Sequence, residues 1–201
     1  MSELDRWEAR FAAPGYAFGK TPAAFLKAQA SRLPASGKAL SIADGEGRNG
    51  VWLAEQGLDV HAIDFSPTAL QKSRALAAER GVTLTAERAD VTTWRWPTAA
   101  YDVIAAIFIQ FVTPAERSEL FGNIKRALKP GGLLLLHGYR PEQLRYGTGG
   151  PKEADRMYTR ELLEACFGDM RQLEIFEHDS LVDEGSSHVG MSALIDLIAR
   201  K

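Results

Sequence analysis

The sequence predicts an α/β fold of three layers, with helices on both faces of a doubly wound sheet that is mostly parallel and has an antiparallel C-terminal strand. Three observations lead to this prediction. Short apolar runs alternate along the chain with segments of helical spacing. Residues 101–109 and 133–139 are almost continuous apolar runs, as expected for strands buried on both faces. Residues 44–50 form a glycine-rich turn between a strand and a helix.

The individual elements follow from the same patterns in chain order. Residues 1–33 are rich in aromatic side chains and predict a helix, a loop and a second helix from Thr21-Pro22, which together cover the rest of the chain. The core, residues 38–201, has predicted strands at 38–43, 59–64, 82–86, 101–109, 133–139, 171–177 and 188–199, and predicted helices from 51, at 67–80, 114–128 and 159–167. The sequence contains no linker or repeat, so residues 1–201 are expected to form a single domain.

Composition narrows the classes of function. The chain has 201 residues, with 24 basic and 26 acidic side chains and a formal charge of −2. This balance, without a basic cluster, argues against a nucleic-acid partner. The single Cys166 cannot form an internal disulfide, and the sequence has no span apolar enough for a membrane helix, so we expect a cytoplasmic monomer or homodimer. The four His residues are far apart, which predicts no metal site.

The glycine-rich turn is the first candidate binding feature. In an open α/β sheet, ligands bind beyond the carboxyl ends of the strands, where this turn begins. Gly45 and Gly47 lack a Cβ, so a ligand can approach the backbone, and the next helix offers unpaired N–H groups. Together with Gly50 and with Asp64 about twenty residues later, they also satisfy a dinucleotide fingerprint in which the acid binds ribose hydroxyls. The ligand is therefore nucleotide-like, and its class is open at this point.

A second acid follows the third predicted strand. Asp90 and Val91 lie next to the same crevice and offer a carboxylate and an apolar face, which suit the amino group and the ring of an adenine. The alternative for Asp90 is a turn residue before Thr92.

These segments together resemble a known family. Residues 40–49 and 57–67 resemble the first two motifs of class I S-adenosylmethionine-dependent methyltransferases, particularly the small bacterial group related to the tellurite-resistance and thiopurine methyltransferases. Residues 89–91, 101–104 and 128–132 are similar to the adenine motif, the fourth strand and the turn before the fifth strand. The resemblance implies a Rossmann-like fold, methyl transfer from S-adenosyl-L-methionine to a small-molecule acceptor, and S-adenosyl-L-homocysteine as product.

The resemblance also implies roles for individual residues. It places Gly45 and Gly47 against the methionine and ribose parts of the cofactor, Asp64 on the ribose hydroxyls and Asp90 on the adenine amino group. Further cofactor contacts are implied for Tyr16, Gly19, Ala43, Arg48, Phe65, Val91 and Ile107. In this family an aromatic segment, here Tyr16 with Phe18 and Gly19, closes over the cofactor, and an aromatic face is a favourable neighbour for a sulfonium ion.

The chain departs from the family pattern at the end of its first strand. Ser41 stands where the family has an acid, and Ala43 stands where it has the first glycine of the loop. Ala43 is small enough to allow a close approach. A serine hydroxyl forms hydrogen bonds but cannot compensate a positive amino group. This departure keeps a second hypothesis open, namely a protein that binds S-adenosylmethionine or S-adenosylhomocysteine without catalysis.

The acceptor is expected near the ends of the fourth, fifth and last strands. The candidate residues there are Gln110, Phe111, His137, Tyr139, Arg140 and His188. Residues 147–151, which are rich in glycine, form either a mobile lid or a passive surface loop. The sequence shows no obvious general base beside the fourth strand, which favours a thiolate or a metalloid anion such as tellurite as acceptor. An NAD-dependent oxidoreductase is the remaining alternative, although the sequence shows no obvious second substrate domain.

Overall fold

The computed structural model describes residues 2–185 and 188–201. Within that part of the chain, one sheet contains seven strands, which are Lys38–Ile42 (β1), Asp59–Asp64 (β2), Thr85–Arg88 (β3), Tyr101–Ile107 (β4), Leu128–Tyr139 (β5), Arg171–Glu184 (β6) and His188–Arg200 (β7). The α-helices are Glu3–Phe11 (α1), Ala24–Ala28 (α2), Arg48–Glu55 (α3), Pro67–Glu79 (α4), Pro114–Ala127 (α5), Gln143–Tyr146 (α6) and Arg160–Phe167 (α7).

The strand order shows that the sheet is doubly wound. It runs β3-β2-β1-β4-β5-β7-β6, so the chain moves outward from β1 in one direction and returns to continue from β4 in the other. Strands β1 to β5 pair in parallel, and β7 is antiparallel both to β5 and to β6. The predicted mostly parallel sheet with an antiparallel C-terminal strand is confirmed. The reversal between β1 and β4 opens a crevice at the carboxyl ends of these strands.

The apolar strand β5 shows why both faces of the sheet are covered. Leu134 packs with side chains of α5 and α7 in one hydrophobic core, whereas its neighbour Leu135 packs with α2 and α3 in a second core. Successive side chains of a strand point to opposite faces, so a strand that is apolar at every position needs helices on both sides. This alternation produces the three layers.

Several predicted boundaries differ from the structure. The third strand lies at Thr85–Arg88 instead of 82–86, because this edge strand is only partly buried and its apolar signal is weak. Strand β4 ends at Ile107, two residues early, since Phe108 has a φ of +56° and leaves the sheet. Strand β5 begins at Leu128, and its pairing with β4 is irregular between Tyr101 and Val103, where the Lys-Pro-Gly-Gly segment is looped out.

The helix starts follow from local capping. Ser66 accepts a hydrogen bond from the N–H of Ala69 at the start of α4, and Thr113 forms a capping box with Glu116 at the start of α5. The second helix begins at Ala24 without a side-chain cap, and not at the predicted Thr21-Pro22. None of the described helices has the length and hydropathy that a membrane crossing requires.

Candidate functional site

A cavity of about 420 Å³ lies between α1 and the carboxyl ends of β1, β2 and β4. Its volume falls within the roughly 300–1,000 Å³ that is typical of small-molecule sites. The predicted site residues that line it are Ala43, Gly45, Arg48, Asp64, Phe65, Asp90, Val91, Ile107 and Phe111. The doubly wound sheet thus brings together residues that are more than sixty positions apart in the chain.

The glycine loop approaches the cavity through a left-handed backbone. Ala43 has a φ of +48°, Gly45 of +58° and Gly47 of +94°. Gly45 lines the cavity, but Gly47 does not. A Cβ at Gly47 would lie 2.7 Å from Cα of Ser73 on α4, so this glycine allows α3 to pack closely on α4. The structure thus gives Gly47 a role in the contact between the two helices.

Asp64 connects the ends of two neighbouring strands. Its Oδ2 accepts a hydrogen bond from the N–H of Gly45 at 2.9 Å, and its Oδ1 accepts one from the N–H of Ser66, also at 2.9 Å. Burial raises the pKa of Asp64, while the backbone N–H groups oppose this shift. A carboxylate has about four lone-pair sites, so both oxygens keep acceptor capacity for a ligand.

Asp90 combines the two interpretations that the sequence left open. Its Oδ1 accepts hydrogen bonds from the N–H of Thr92 at 2.9 Å and from its hydroxyl at 2.7 Å, so it does form a turn. The same residue also lines the cavity, next to the buried Val91. Turn formation fixes the direction of the carboxylate at the cavity wall.

Asp44 is a cavity residue that the sequence analysis did not single out. It is buried, and its Oδ1 accepts hydrogen bonds from the Ser41 hydroxyl at 2.6 Å and from the N–H of Gly50 at 2.9 Å. Within the described part of the chain, its Oδ2 has no hydrogen-bond partner. Burial raises the pKa of Asp44 to about 7, although Ser41 and Gly50 favour the ionised form.

Comparison with known families identifies the central part of the chain. A family model described as a methyltransferase domain matches residues 39–132, which extend from β1 into β5 and include the glycine loop, Asp64 and Asp90. Residues 39–132 are therefore similar to a methyltransferase domain. S-Adenosyl-L-methionine is the cofactor of this class of domain, and S-adenosyl-L-homocysteine is the product.

Two curated relatives illustrate the range of similar proteins. A 2-heptyl-1-hydroxyquinolin-4(1H)-one methyltransferase from Mycobacteroides abscessus is 27% identical over 129 residues, which cover 63% of this chain and 57% of the relative. Hemagglutinin 1 from Eikenella corrodens is 26% identical over 99 residues, or 49% of this chain and 33% of the relative. The chain therefore spans between a third and just over half of the length of these relatives.

Solved structures match over most of the chain. A protein from a study of the conversion of a disulfide into a thioacetal in echinomycin biosynthesis has a TM-score of 0.76 at 19% identity and covers 98% of this chain and 88% of its own. TehB from Haemophilus influenzae has a TM-score of 0.71 at 17% identity, covering 88% of this chain and 61% of its own. A methyltransferase from Methanosarcina mazei has a TM-score of 0.69 at 18% identity, covering 85% of this chain and 95% of its own. These likenesses confirm the Rossmann-like fold.

The residues that line the cavity fit S-adenosylmethionine. The left-handed Gly45 exposes backbone to the cavity, and the two carboxylates Asp44 and Asp64 suit a ligand with hydroxyl groups and positive charge. The orphaned Oδ2 of Asp44 is a buried anionic group that a cationic ligand would stabilise. Among residues 2–185 and 188–201, no three His, Cys, Asp or Glu side chains are grouped as metal ligands.

The N-terminal cover of the cavity is built on α1. Trp7 and Phe11 stack with ring centroids 5.4 Å apart, and both line the cavity with Phe18. Glu8 fixes this helix, because its carboxylate accepts hydrogen bonds from the hydroxyls of Ser66 and Thr68 at the start of α4. The spacing of Trp7 and Phe11, one helical turn apart, was the signal that could have identified them in the sequence.

Two predicted residues of the cover lie outside the cavity lining. Tyr16 donates a hydrogen bond to the carbonyl of Lys72 on α4 at 3.2 Å, and its ring packs on the ammonium groups of Lys20 and Lys72. Gly19 faces Gly185, whose backbone would be 3.6 Å from a Cβ. Their contacts hold the cover in place, so any effect on the cofactor would be indirect.

Most of the predicted acceptor residues contact other parts of the fold. Of the predicted acceptor residues whose side chains the structure describes, only Phe111 lines the cavity. Gln110 exchanges two hydrogen bonds with the backbone of Tyr139, at 2.6 and 2.8 Å, and thereby ties the end of β4 to β5. Burial raises the pKa of Tyr139, whose side chain packs beside Phe108. His188 begins β7, and its side chain lies outside the described residues.

His137 and Arg140 are also held by structural contacts away from the cavity. His137 is stacked on Phe25, and its Nδ1 lies 2.5 Å from Oδ1 of Asp196 on β7. Arg140 forms an ion pair with Asp179 and donates a hydrogen bond to the carbonyl of Leu194 at 3.0 Å.

The glycine-rich loop at 147–151 does not line the cavity. The hydroxyl of Thr148 donates a hydrogen bond to the carbonyl of Met191 at 2.6 Å, and Gly150 packs against the ring of Tyr139. These contacts attach the loop to β7 and favour the passive alternative over a lid.

Polar side chains at the open end of the cavity are engaged with the protein. Arg48 is buried and forms an ion pair with Glu184 at 2.7 Å. Arg156, which the sequence analysis missed, donates a hydrogen bond to the carbonyl of Phe111 at 2.6 Å. Hydrogen bonds from the backbone and hydroxyl of Thr113 hold the pKa of Glu116 below its usual range. These residues shape the wall and are poorly suited to accept a proton from an acceptor.

Proposed function

We propose that this protein transfers a methyl group from S-adenosylmethionine to a small acceptor that is already nucleophilic at neutral pH, such as a thiol or a metalloid oxyanion like tellurite. The observation that carries the proposal is the single cavity in which the Gly45 loop, the buried Asp64 and the Asp90 turn meet. The expected setting, a cytoplasmic monomer or homodimer, is part of the same proposal.

When bound, the cofactor supplies an activated methyl group on a cationic sulfur. The protein then has to bind, to orient and to exclude water. Asp64 would hold the ribose hydroxyls and Asp90 the adenine, while Phe18, Phe108 and Phe111 line the remaining wall. Holding two reactants in line is itself a large catalytic effect, because effective molarities of oriented groups reach about 10⁵ M or more.

Apart from the carboxylates Asp44, Asp64 and Asp90, which we propose face the cofactor, the cavity residues Glu116 and Arg48 favour an acceptor that needs no base. Glu116 is tied to Thr113 with a lowered pKa, and Arg48 is paired with Glu184. A thiolate or a metalloid oxyanion is a nucleophile that needs no general base on the protein, since it carries no proton that must be removed.

The first test is a calorimetric titration with S-adenosylmethionine, S-adenosylhomocysteine and NAD. We expect micromolar binding of the first two and no binding of NAD. Mass spectrometry of the protein with S-adenosylmethionine and a panel of thiols, tellurite and selenite then identifies the methylated product. Binding of NAD alone would overturn the proposal, and cofactor binding without any methylated product would favour a non-catalytic binding protein.

A second acceptor class is supported by the aromatic lining. Trp7, Phe11, Phe18, Phe108 and Phe111 give the cavity flat apolar walls, which suit an aromatic heterocycle. A relative that is 27% identical acts, by its name, on a hydroxyquinolone. The acceptor panel therefore includes a hydroxyquinolone, and its methylation in preference to thiols would select this alternative.

A further inference from the structure

We infer that Asp44 supplies the negative charge that balances the amino group in the methionine part of the cofactor. Asp44 would do so instead of the acid that the family has at the position of Ser41. The inference rests on the proposed binding of S-adenosylmethionine. Three features of Asp44 support it: its place in the cavity wall, its fixed orientation and its incomplete hydrogen bonding.

The orientation of Asp44 is fixed by two donors on the same oxygen. The Ser41 hydroxyl at 2.6 Å and the N–H of Gly50 at 2.9 Å both reach Oδ1. Gly50 leaves room for the carboxylate, because a Cβ there would meet Oδ2. The serine in the position of the family's acid therefore acts as a positioning residue for a carboxylate three positions later.

The other carboxylate oxygen of Asp44 has incomplete hydrogen bonding. Its Oδ2 is buried and has no hydrogen-bond partner among the described residues, while the whole residue is only 7% exposed. An ionised carboxylate in such a position is costly unless a cation compensates it. A positive group in the adjoining cavity would therefore favour the ionised form of Asp44.

The charged neighbours do not provide that positive group. Asp64 on β2 adds negative charge and raises the pKa of Asp44 further. Arg48 on α3 acts in the opposite direction, but its guanidinium is already paired with Glu184 at 2.7 Å. With the pKa of Asp44 near 7, a cationic ligand would shift the residue to its ionised form and release a proton at mildly acidic pH.

The test compares two ligands on two variants by calorimetry. S-Adenosylhomocysteine carries the amino group but no sulfonium charge, and 5′-methylthioadenosine lacks the whole amino-acid part. Asp44→Asn is expected to weaken binding of S-adenosylhomocysteine by about tenfold or more and to leave 5′-methylthioadenosine within about twofold, as for loss of a charged partner. The matched variant Asp64→Asn is expected to weaken both ligands, because both contain the ribose.

Proton release on ligand binding is a second measurement, and Asp44→Asn would not change it if Asp44 had only a structural role. Wild-type protein titrated with S-adenosylhomocysteine at pH 6 in two buffers of different ionisation enthalpy is expected to release most of one proton per ligand. Asp44→Asn is expected to release almost none. Because the first half of this experiment uses unchanged protein, it holds even if the variant does not fold.

The outcomes separate this inference from the proposed function. If the wild-type protein binds neither adenosyl ligand, the proposed function fails. If it binds S-adenosylhomocysteine but releases no proton, or if Asp44→Asn weakens both ligands equally, the role of Asp44 is overturned and the proposed function stands. S-Adenosylmethionine is titrated in the same way. If Asp44→Asn weakens its binding but not that of S-adenosylhomocysteine, the carboxylate balances the sulfonium charge and the inference is overturned.

Discussion

Asp64 is only 5% exposed, and its two oxygens are bound to different segments of the backbone. Gly45 belongs to the loop after β1, and Ser66 lies at the start of α4, so the carboxylate joins the two elements that form the crevice. Burial raises the pKa of Asp64, and the two N–H groups keep the ionised form accessible. The hydroxyls of a ribose bound here would donate strong, charge-assisted hydrogen bonds to this carboxylate.

Replacing this acid is the simplest test of the binding mode. Asp64→Ala should weaken binding of S-adenosylhomocysteine by more than about tenfold, since a hydrogen bond to a charged group contributes roughly 1.5–3 kcal/mol. Calorimetry measures the effect directly. Asp59→Ala is the matched control, because Asp59 lies exposed at the opposite end of the same strand. Equal affinities of wild type and Asp64→Ala would contradict the assignment.

Helices α3 and α4 approach each other at Gly47. The residue caps α3 with a φ of +94°, and Ser73 of α4 occupies the space where a side chain would lie. Both the backbone conformation and the lack of a Cβ are therefore required at this point. The contact positions the loop that leads into the cavity, although Gly47 itself does not line it.

Two glycine variants separate the effect of conformation from the effect of packing. Gly81 has a φ of +69°, and a Cβ at this position would have nothing within 4 Å. Gly81→Ala should therefore lower the free energy of unfolding only by the strain of the left-handed backbone, about 1 kcal/mol. Gly47→Ala should cost about 1–3 kcal/mol more in the free energy of unfolding, because it also overpacks α4. Urea unfolding curves give both values. Equal losses in the two variants would show that α4 moves aside freely.

The two edges of the sheet differ in what they do. The carboxyl edge opens into the cavity, whereas at the amino edge Asp102 of β4 ties three strands together. Its Oδ2 accepts hydrogen bonds from the ammonium of Lys129 on β5 at 2.7 Å and from the N–H of Lys38 on β1 at 2.8 Å. The Lys129 side chain, followed by the Lys38 backbone, holds the pKa of Asp102 below its ordinary value of 3.8.

This arrangement predicts a pH-dependent contribution to stability. A lowered folded-state pKa means that Asp102 stabilises the fold above the unfolded pKa near 3.8, and that this contribution disappears as the pH falls through the folded value. Asp102→Asn should therefore lower the urea midpoint at pH 7 and approach the wild-type midpoint near pH 3. Glu119→Gln, on the exposed side of α5, is the control. A difference from wild type that stays the same at both pH values would argue against this role.

The fold could be predicted to a large extent because its signals are local. The apolar runs of β4 and β5 report burial on both faces without knowledge of what covers them. The predicted boundaries failed where the signal was weak or interrupted, as at the edge strand β3 and at Phe108, whose φ of +56° ends β4 early. Residues at or just beyond the carboxyl end of a strand, such as Asp64 and Asp90, could be placed at the cavity because strand ends meet at one edge.

The residues that the sequence misplaced depend on contacts between distant segments. His137 follows the pattern of a strand-end residue, but Asp196 and Phe25 hold it away from the cavity. Trp7 and Asp44 reach the cavity because α1 folds over it and because β1 has a serine that directs the acid. Periodicity and glycine spacing determine which elements form and where the crevice opens. Only tertiary packing decides which side chains face it, because the direction of a side chain is set by neighbours that are far away in the chain.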